Sequence, residues 1–182
     1  MRQDKSKGFQ EILQGCYENQ RSCQNALYRL YYPYGMSIAI RYVHTEAEAI
    51  SIVNDAFLKV FDNINRYDTQ LEFKPWFRKI IVNTAINFMK KEKKYKEVLD
   101  IEKIPTIATK EDVLSKLNYQ DLLETLKSLS LAYRTVFNLY VIEGYKHEEI
   151  ANMLGISVST SKSNLTRARV KLRESIINKL KQ

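Results

Sequence analysis

Glycine and proline are scarce in these 182 residues, at 5 and 3, and cysteine and histidine number two each. Each shortage excludes something. Few backbone breakers, spread among long stretches of helical period, point to an all-α chain and away from strands punctuated by frequent turns. Two cysteines without nearby histidines do not make a zinc site. Read as members of one helix, Cys16 and Cys23 share a face but stand roughly 10 Å apart along it, too far for a disulfide. They are expected to be buried, apolar-like thiols. No apolar run approaches the roughly 18 residues of a membrane span. The basic start, Met1-Arg-Gln-Asp-Lys-Ser-Lys7, lacks the apolar segment of a signal peptide. The expectation is a cytoplasmic chain with no membrane insertion.

Acid is short as well, with 21 Asp and Glu against 29 Lys and Arg, for a net charge of +8. The excess is not spread evenly. Between Phe73 and Lys96 there are eight cations against Glu92 alone, and between Val158 and Gln182 seven against Glu174. The rest of the chain is net acidic. Two basic segments on an acidic body form a footprint for a long polyanion touched at two places. An apolar content of 45% is enough to bury a core.

The second basic segment closes a recognisable pattern. Ile150, Ala151 and Leu154 make the apolar stripe of a short helix, and Gly155 falls where a helix end favours a left-handed residue. Ser157 is placed to cap a following helix through the amide of Thr160. That helix carries Ser159, Thr160, Ser161, Ser163 and Asn164 early, then Arg167, Arg169, Lys171 and Arg173, with Lys162 among the first group. Small polar side chains suit base edges and cations suit phosphates, as in the recognition helix of a helix-turn-helix. Ahead of it, Asp121–Ser128 and Leu131–Glu143 read as two supporting amphipathic helices. Ser130 stands at the second one's N-cap and Gly144 at its stop. Leu122, Leu126, Val136, Phe137, Tyr140 and Val141 are their expected core.

The front of the chain is helical in a different register. Gly8–Gln24 reads as one helix. A tyrosine-rich stretch, Asn25–Val43, follows and is expected to be interrupted around Pro33 and Gly35. From Glu46 to Ile64 the apolar residues Ala49, Ile52, Val53, Ala56, Phe57, Val60, Phe61 and Ile64 recur at buried-face spacing. The opposite face holds Ser51, Asn54, Asp55, Leu58 and Asp62. Leu58 is an apolar residue in a polar field, the composition of a protein-docking patch. A loop should follow to Lys74. A helix beginning near Pro75 then buries Trp76, Phe77, Ile80, Ile81, Thr84, Ala85, Phe88 and Met89 and presents Lys79, Asn83, Asn87, Lys90 and Lys94. Amides and cations along one helix face suit a nucleic-acid surface. Residues 97–117 lose the period and mix acids with threonines and Pro105, so they read as a largely extended linker.

Ala56-Phe-Leu-Lys-Val-Phe61, Trp76-Phe-Arg-Lys-Ile-Ile-Val-Asn-Thr-Ala-Ile86 and Tyr133-Arg-Thr-Val-Phe-Asn-Leu-Tyr-Val-Ile-Glu-Gly-Tyr145 carry a family resemblance. They continue into Ile150-Ala-Asn-Met-Leu-Gly-Ile-Ser157 and Thr160-Ser-Lys-Ser163. In this order and spacing the chain resembles bacterial RNA polymerase sigma factors of the extracytoplasmic-function group, in a form similar to the Bacteroidota branch. The resemblance implies two small helical domains, 1–95 and 118–182, joined by a flexible linker, 96–117, with the second a four-helix domain ending in the helix-turn-helix. It implies core RNA polymerase and promoter DNA as partners, an anti-sigma factor as a further one, and no cofactor, metal or catalytic residue. Asn54, Asp55 and Leu58 would dock on the polymerase. Trp76, Lys79, Asn83, Asn87 and Lys90, with the Asn65–Phe73 loop, would open the −10 element. Ser159, Thr160, Lys162, Ser163, Asn164, Arg167 and Arg169 would read the −35 element. Members of the group often have Ser or Thr where Lys146 stands, so one helix cap is expected to be missing. The competing readings are a stand-alone helix-turn-helix regulator and a nuclease built on Glu46, Glu48 and Asp55. The nuclease acids do not share one helix face.

Overall fold

A computed structural model describes the backbone of residues 7–99 and 119–180, and side chains within 8–91 and 123–177. In chain order its elements are α1 (Lys7–Tyr17), α2 (Arg21–Ala39), α3 (Glu46–Asn63), a 3-10 turn (Ile64–Arg66) and α4 (Phe73–Leu99). There follow α5 (Tyr119–Lys127), α6 (Leu131–Phe137), a π-helical turn (Asn138–Ile142), α7 (His147–Leu154) and α8 (Val158–Leu180). The fold is all-α, with no strand among the described residues. The chain divides into two compact units, Met1–Lys91 and Glu92–Gln182.

In the first unit, the helix expected over Gly8–Gln24 is two helices. Asn19 takes φ 57°, a left-handed turn that asparagine tolerates. The Asn19 amide donates to the Cys16 carbonyl at 3.1 Å and the Gln20 amide to the Gly15 carbonyl at 2.8 Å. That pair of bonds is a Schellman ending, and it folds α2 back on α1. Cys16 and Cys23 therefore belong to successive helices, and the spacing argument made for a single helix does not apply to them. Both are free thiols, Cys16 buried and Cys23 half-buried. Burial, with the neighbouring Cys23 adding to it, pushes the Cys16 thiol up to about 11. The side chain of Cys23 lies against Gly15, where a Cβ would collide with it.

The interruption expected at Pro33 is absent: α2 runs continuously through it. An interior proline costs roughly 3 kcal/mol of helix stability, and packing offsets that cost. Tyr31 and Ile38 are buried on either side. Gly35 admits Val53 of α3 and Ile81 of α4 so closely that a Cβ would stand 3.3 Å from each. Around this crossing the rings of Tyr31, Phe57, Phe73 and Phe77 interlock, with Tyr31–Phe73 and Phe57–Phe77 centroids both 4.7 Å apart. Each fully buried ring contributes roughly 1.5–3 kcal/mol.

Helix α3 starts on a capping box. The Thr45 hydroxyl accepts from the Glu48 amide at 3.2 Å, and the Glu48 carboxylate accepts from the Thr45 amide at 2.9 Å. The residues predicted for its inner face are buried, except that Phe61 is half-exposed. Helix α4 begins at Phe73, earlier than Pro75, because the fully buried Phe73 ring joins the core instead of the loop. It places Val82 and Ile86 inward beside Ile81, Thr84 and Ala85, while Trp76, Ile80 and Phe88 are half-buried. It also extends to Leu99, so residues 96–99 are helical, not extended. The remainder of the expected linker lies outside the described residues.

In the second unit, α8 packs against α5, α6 and α7. Leu123, Leu129, Val136, Leu139, Ile150, Leu165 and Ala168 form the centre. Tyr140 and Val141, expected inside, are exposed. The cause is the π turn: the Glu143 amide reaches back five residues to the Asn138 carbonyl at 2.9 Å. Within this wider turn the side chains no longer follow the α-helical period: Leu139 is buried in the core while Tyr140 and Val141 face outward. Leu126 and Phe137 are half-buried, and the Leu122 side chain lies outside the described set. Ser130 stands at the N-cap of α6, but its side chain makes no capping bond. Gly144 takes φ 79° and ends the segment.

Candidate nucleic-acid and docking surfaces

The turn between α7 and α8 is built as its residues require. Gly155 takes φ 68° and ψ 38°, and the Ile156 amide returns to the Ala151 carbonyl at 3.1 Å. Ser157 Oγ accepts from the Thr160 amide at 2.9 Å, which starts α8. At the start of α7, Lys146 supplies no acceptor, since an ammonium only donates. Half of the capping arrangement survives: the Glu149 carboxylate accepts from the Lys146 amide at 2.7 Å.

Helix α8 shows Ser159, Thr160, Lys162 and Ser163 to solvent in its first turns, with Arg167 and Arg169 beyond them and Asn164 half-buried. Some of these groups are already engaged. The Thr160 hydroxyl meets Ser157 Oγ at 2.8 Å, and Ser163 Oγ donates to the Thr160 carbonyl at 3.0 Å. Arg167 donates to Tyr133 Oη at 3.4 Å. Arg169 lies 5.9 Å from the centre of the Tyr140 ring, and Lys171 lies 5.9 Å from that of Tyr133. Two tyrosines thus hold three cations of α8 in place. Ser161 corrects the reading of the early polar residues. It is fully buried and cannot meet a base. Its place in the stripe Val158, Ser161, Leu165, Ala168, Leu172 is the signal that could have found it.

On α4, Lys79, Asn83, Asn87 and Lys90 are all exposed and recur every three or four residues, so they form one stripe. Lys94 lies beyond the described side chains. Trp76 is half-buried, its ring 5.0 Å from that of Tyr67 and 5.5 Å from that of Phe73. Tyr67, which the sequence did not single out, organises the adjoining loop. Its ring is buried and its hydroxyl donates to the Leu71 carbonyl at 2.7 Å. Tyr17 Oη donates to the Tyr67 carbonyl at 3.3 Å. Burial, then the nearby Asp68 charge, raise the Tyr17 pKa, so the hydroxyl keeps its proton. Leu71, in the same loop, is left 63% exposed. Across the helix pair, Lys59 of α3 donates to Thr84 Oγ1 at 3.0 Å, and Thr84 in turn donates to the Ile80 carbonyl at 2.8 Å.

Asn54, Asp55 and Leu58 are together on the outer face of α3, with Leu58 62% exposed. Asn54 Oδ1 accepts from Tyr28 Oη at 2.9 Å. Burial, then Tyr32, raise the Tyr28 pKa and keep it a donor. An apolar centre ringed by an acid and an oriented amide is an arrangement suited to a partner protein.

Known proteins share these parts. Residues 27–95 match the family model described as sigma-70 region 2, and residues 119–172 match that of sigma-70 region 4. The chain is 36% identical over 134 residues to the RNA polymerase sigma factor SigV of Bacillus subtilis, covering 72% of this chain and 77% of that protein. It is 27% identical over 165 residues to the ECF RNA polymerase sigma-E factor of Escherichia coli, covering 79% and 84%. Among solved structures it is similar to the sigma factor RpoE of Bartonella quintana, crystallised with the anti-sigma factor NepR. There the TM-score is 0.53 with 25% identity, over 82% of this chain and 94% of that one.

Proposed function

We propose, from the premise that this chain belongs to the sigma-70 family of RNA polymerase sigma factors, a division of labour among the three surfaces. The protein is a sigma factor that directs promoter-specific transcription initiation with core RNA polymerase. In our reading the α3 patch of Asn54, Asp55 and Leu58 docks on the polymerase. The α4 stripe of Lys79, Asn83, Asn87 and Lys90, with Trp76 and the loop it abuts, engages and opens the −10 element. The outer face of α8, through Ser159, Thr160, Lys162, Ser163, Asn164, Arg167 and Arg169, engages the −35 element. Residues 1–95 and 118–182 would be the domains that carry these tasks, with 96–117 connecting them.

The carrying observation is the conjunction of two basic stripes with an exposed leucine beside an acid. Opening DNA needs a few kcal/mol for each unstacked base. Phosphate contacts on both stripes, added to polymerase binding, offset that cost. We place the chain in the extracytoplasmic-function group, in the branch similar to that of Bacteroidota, on the Thr160-Ser-Lys-Ser163 string. In this role it works in the cytoplasm without catalysing a reaction itself, and an anti-sigma factor controls it. The sigma factor of Bartonella quintana was crystallised with such a partner.

The test is transcription in vitro with purified chain and core polymerase on genomic templates. Specific start sites are expected. Asp55→Arg combined with Leu58→Glu should reduce retention on immobilised core polymerase at least tenfold, consistent with the loss of roughly 1.4 kcal/mol or more at a docking centre. Unchanged retention of that variant would remove the α3 patch from the interface.

A further inference from the structure

The buried Ser161 is one end of a polar chain that runs across the second unit. Its Oγ shares a hydrogen bond of 2.9 Å with Nδ1 of His147, the first residue of α7. A face of the imidazole stacks on Tyr140 of the π turn, with centroids 4.4 Å apart and planes inclined by 24°. Arg169 then returns the contact to α8, 5.9 Å above the Tyr140 ring. Helix α8 is thus gripped at Ser161 and again two turns later. The exposed residues between and beside the grips include Ser159, Thr160, Lys162 and Ser163.

Apolar packing is non-directional and tolerates small rotations of a helix about its axis. A hydrogen bond does not, because it weakens steeply once misaligned. Successive helical residues point about 100° apart, so a modest rotation of α8 carries Lys162 or Ser159 away from its target. We infer that His147, through Ser161, is a positioning residue that sets the rotational phase of the DNA-reading helix. It contributes to base discrimination without touching DNA. This rests on the reading of α8 as the −35 reader.

Two substitutions separate the chain's two links. His147→Asn places a polar atom where Nδ1 stands but gives up the stack on Tyr140. His147→Phe keeps the stack and loses the hydrogen bond. Ser161→Ala removes the same bond from the other side and covers the case in which a His147 variant fails to fold. Holoenzyme is assembled from core polymerase and each full-length variant. It is titrated with a duplex carrying the strongest start site that wild-type holoenzyme selects, and with the same duplex scrambled across its −35 segment. His147→Phe and Ser161→Ala are expected to lower the selected-to-scrambled affinity ratio about tenfold, the scale of one lost base-pair contact, with affinity for the scrambled duplex unchanged. His147→Asn should keep the ratio.

Equal ratios for wild type and both bond-deleting variants overturn the inference. So does a parallel loss on both duplexes, which is what a merely structural histidine gives. Loss of the ratio in His147→Asn together with its retention in Ser161→Ala also overturns it. A wild-type holoenzyme that makes no distinction between the duplexes refutes the α8 reading itself, and so is distinct from failure of the positioning role.

Discussion

Glu48 does two jobs at the entrance of α3, and they pull its acidity in opposite directions. Burial disfavours its charge. The hydrogen bonds from the Thr45 amide and hydroxyl and from the His44 amide, with the His44 charge, outweigh burial and hold the carboxyl below its ordinary 4.5. A carboxyl lowered on folding stabilises the fold above its unfolded pKa, and that stability disappears as pH falls through the folded value. Glu48→Ala is therefore expected to cost about 1 kcal/mol at neutral pH, the scale of a lost cap. The gap to wild type should close below about pH 4. Chemical denaturation across pH measures it, and a gap independent of pH would contradict the assignment. The same residue bears on the nuclease reading, since its carboxylate faces backbone amides. At this scale the sequence was legible at several sites where one side chain acts on its near neighbours, as at Ser157, Gly155 and Glu149, but not at all of them: Ser130 makes no capping bond, and the Thr45–Glu48 box was not anticipated. It was illegible where a polar residue is buried by a partner distant in sequence. The apolar stripe of α8 points to the burial of Ser161, but nothing in the sequence points to His147, fourteen residues earlier, as the partner that supplies its bond.

Among the elements, the sharp bend into α8 turns on the left-handed backbone of Gly155, with the Ser157 cap beyond it. A Cβ at Gly155 would meet nothing within 4 Å, so replacing it tests conformation without collision. Gly155→Ala is expected to cost about 1–2 kcal/mol through the left-handed backbone, and Gly155→Asn less. Amide exchange in α7 and early α8 should rise by the corresponding factor; protection equal to wild type would show that the bend does not depend on glycine. Helical periods were readable from the spacing of apolar residues, and so, except for the half-exposed Phe61, were the buried and exposed faces of α3. What escaped were the shifts of phase. Asn19 breaks one apparent helix, Pro33 fails to break another, and the π turn at Asn138–Ile142 rotates Tyr140 and Val141 outward. At Pro33 packing overrides local preference, whereas Asn19 ends its helix through a local left-handed turn that asparagine accepts. The exposed Tyr140 then becomes available to His147 and Arg169, so the misread residue is part of the site's support.

For the whole molecule, charge placement decides behaviour more than total charge. If the α8 face neutralises about four phosphates, promoter affinity through that face should fall with salt at a log–log slope of about −3.6, and Lys162→Ala should reduce the slope's magnitude by about 0.9. Titrations over a range of salt concentrations check both, and a flat dependence would remove α8 from the DNA. The two basic segments and the leucine beside Asp55 were legible in the sequence because charge and hydrophobicity survive without geometry. The aromatic supports, Tyr133, Tyr140 and Tyr67, were not, because stacking depends on where distant rings arrive. Trp76 belongs to that class, and it is the chain's one tryptophan. Its indole is half-buried against Tyr67 and Phe73 beside the loop that carries Leu71. Light absorbed selectively by indole therefore comes back from one place in the molecule, and its colour and polarisation report that loop alone. The protein carries an intrinsic optical probe where the strands are proposed to part, so the state of this loop in the isolated chain can be followed without attaching a dye.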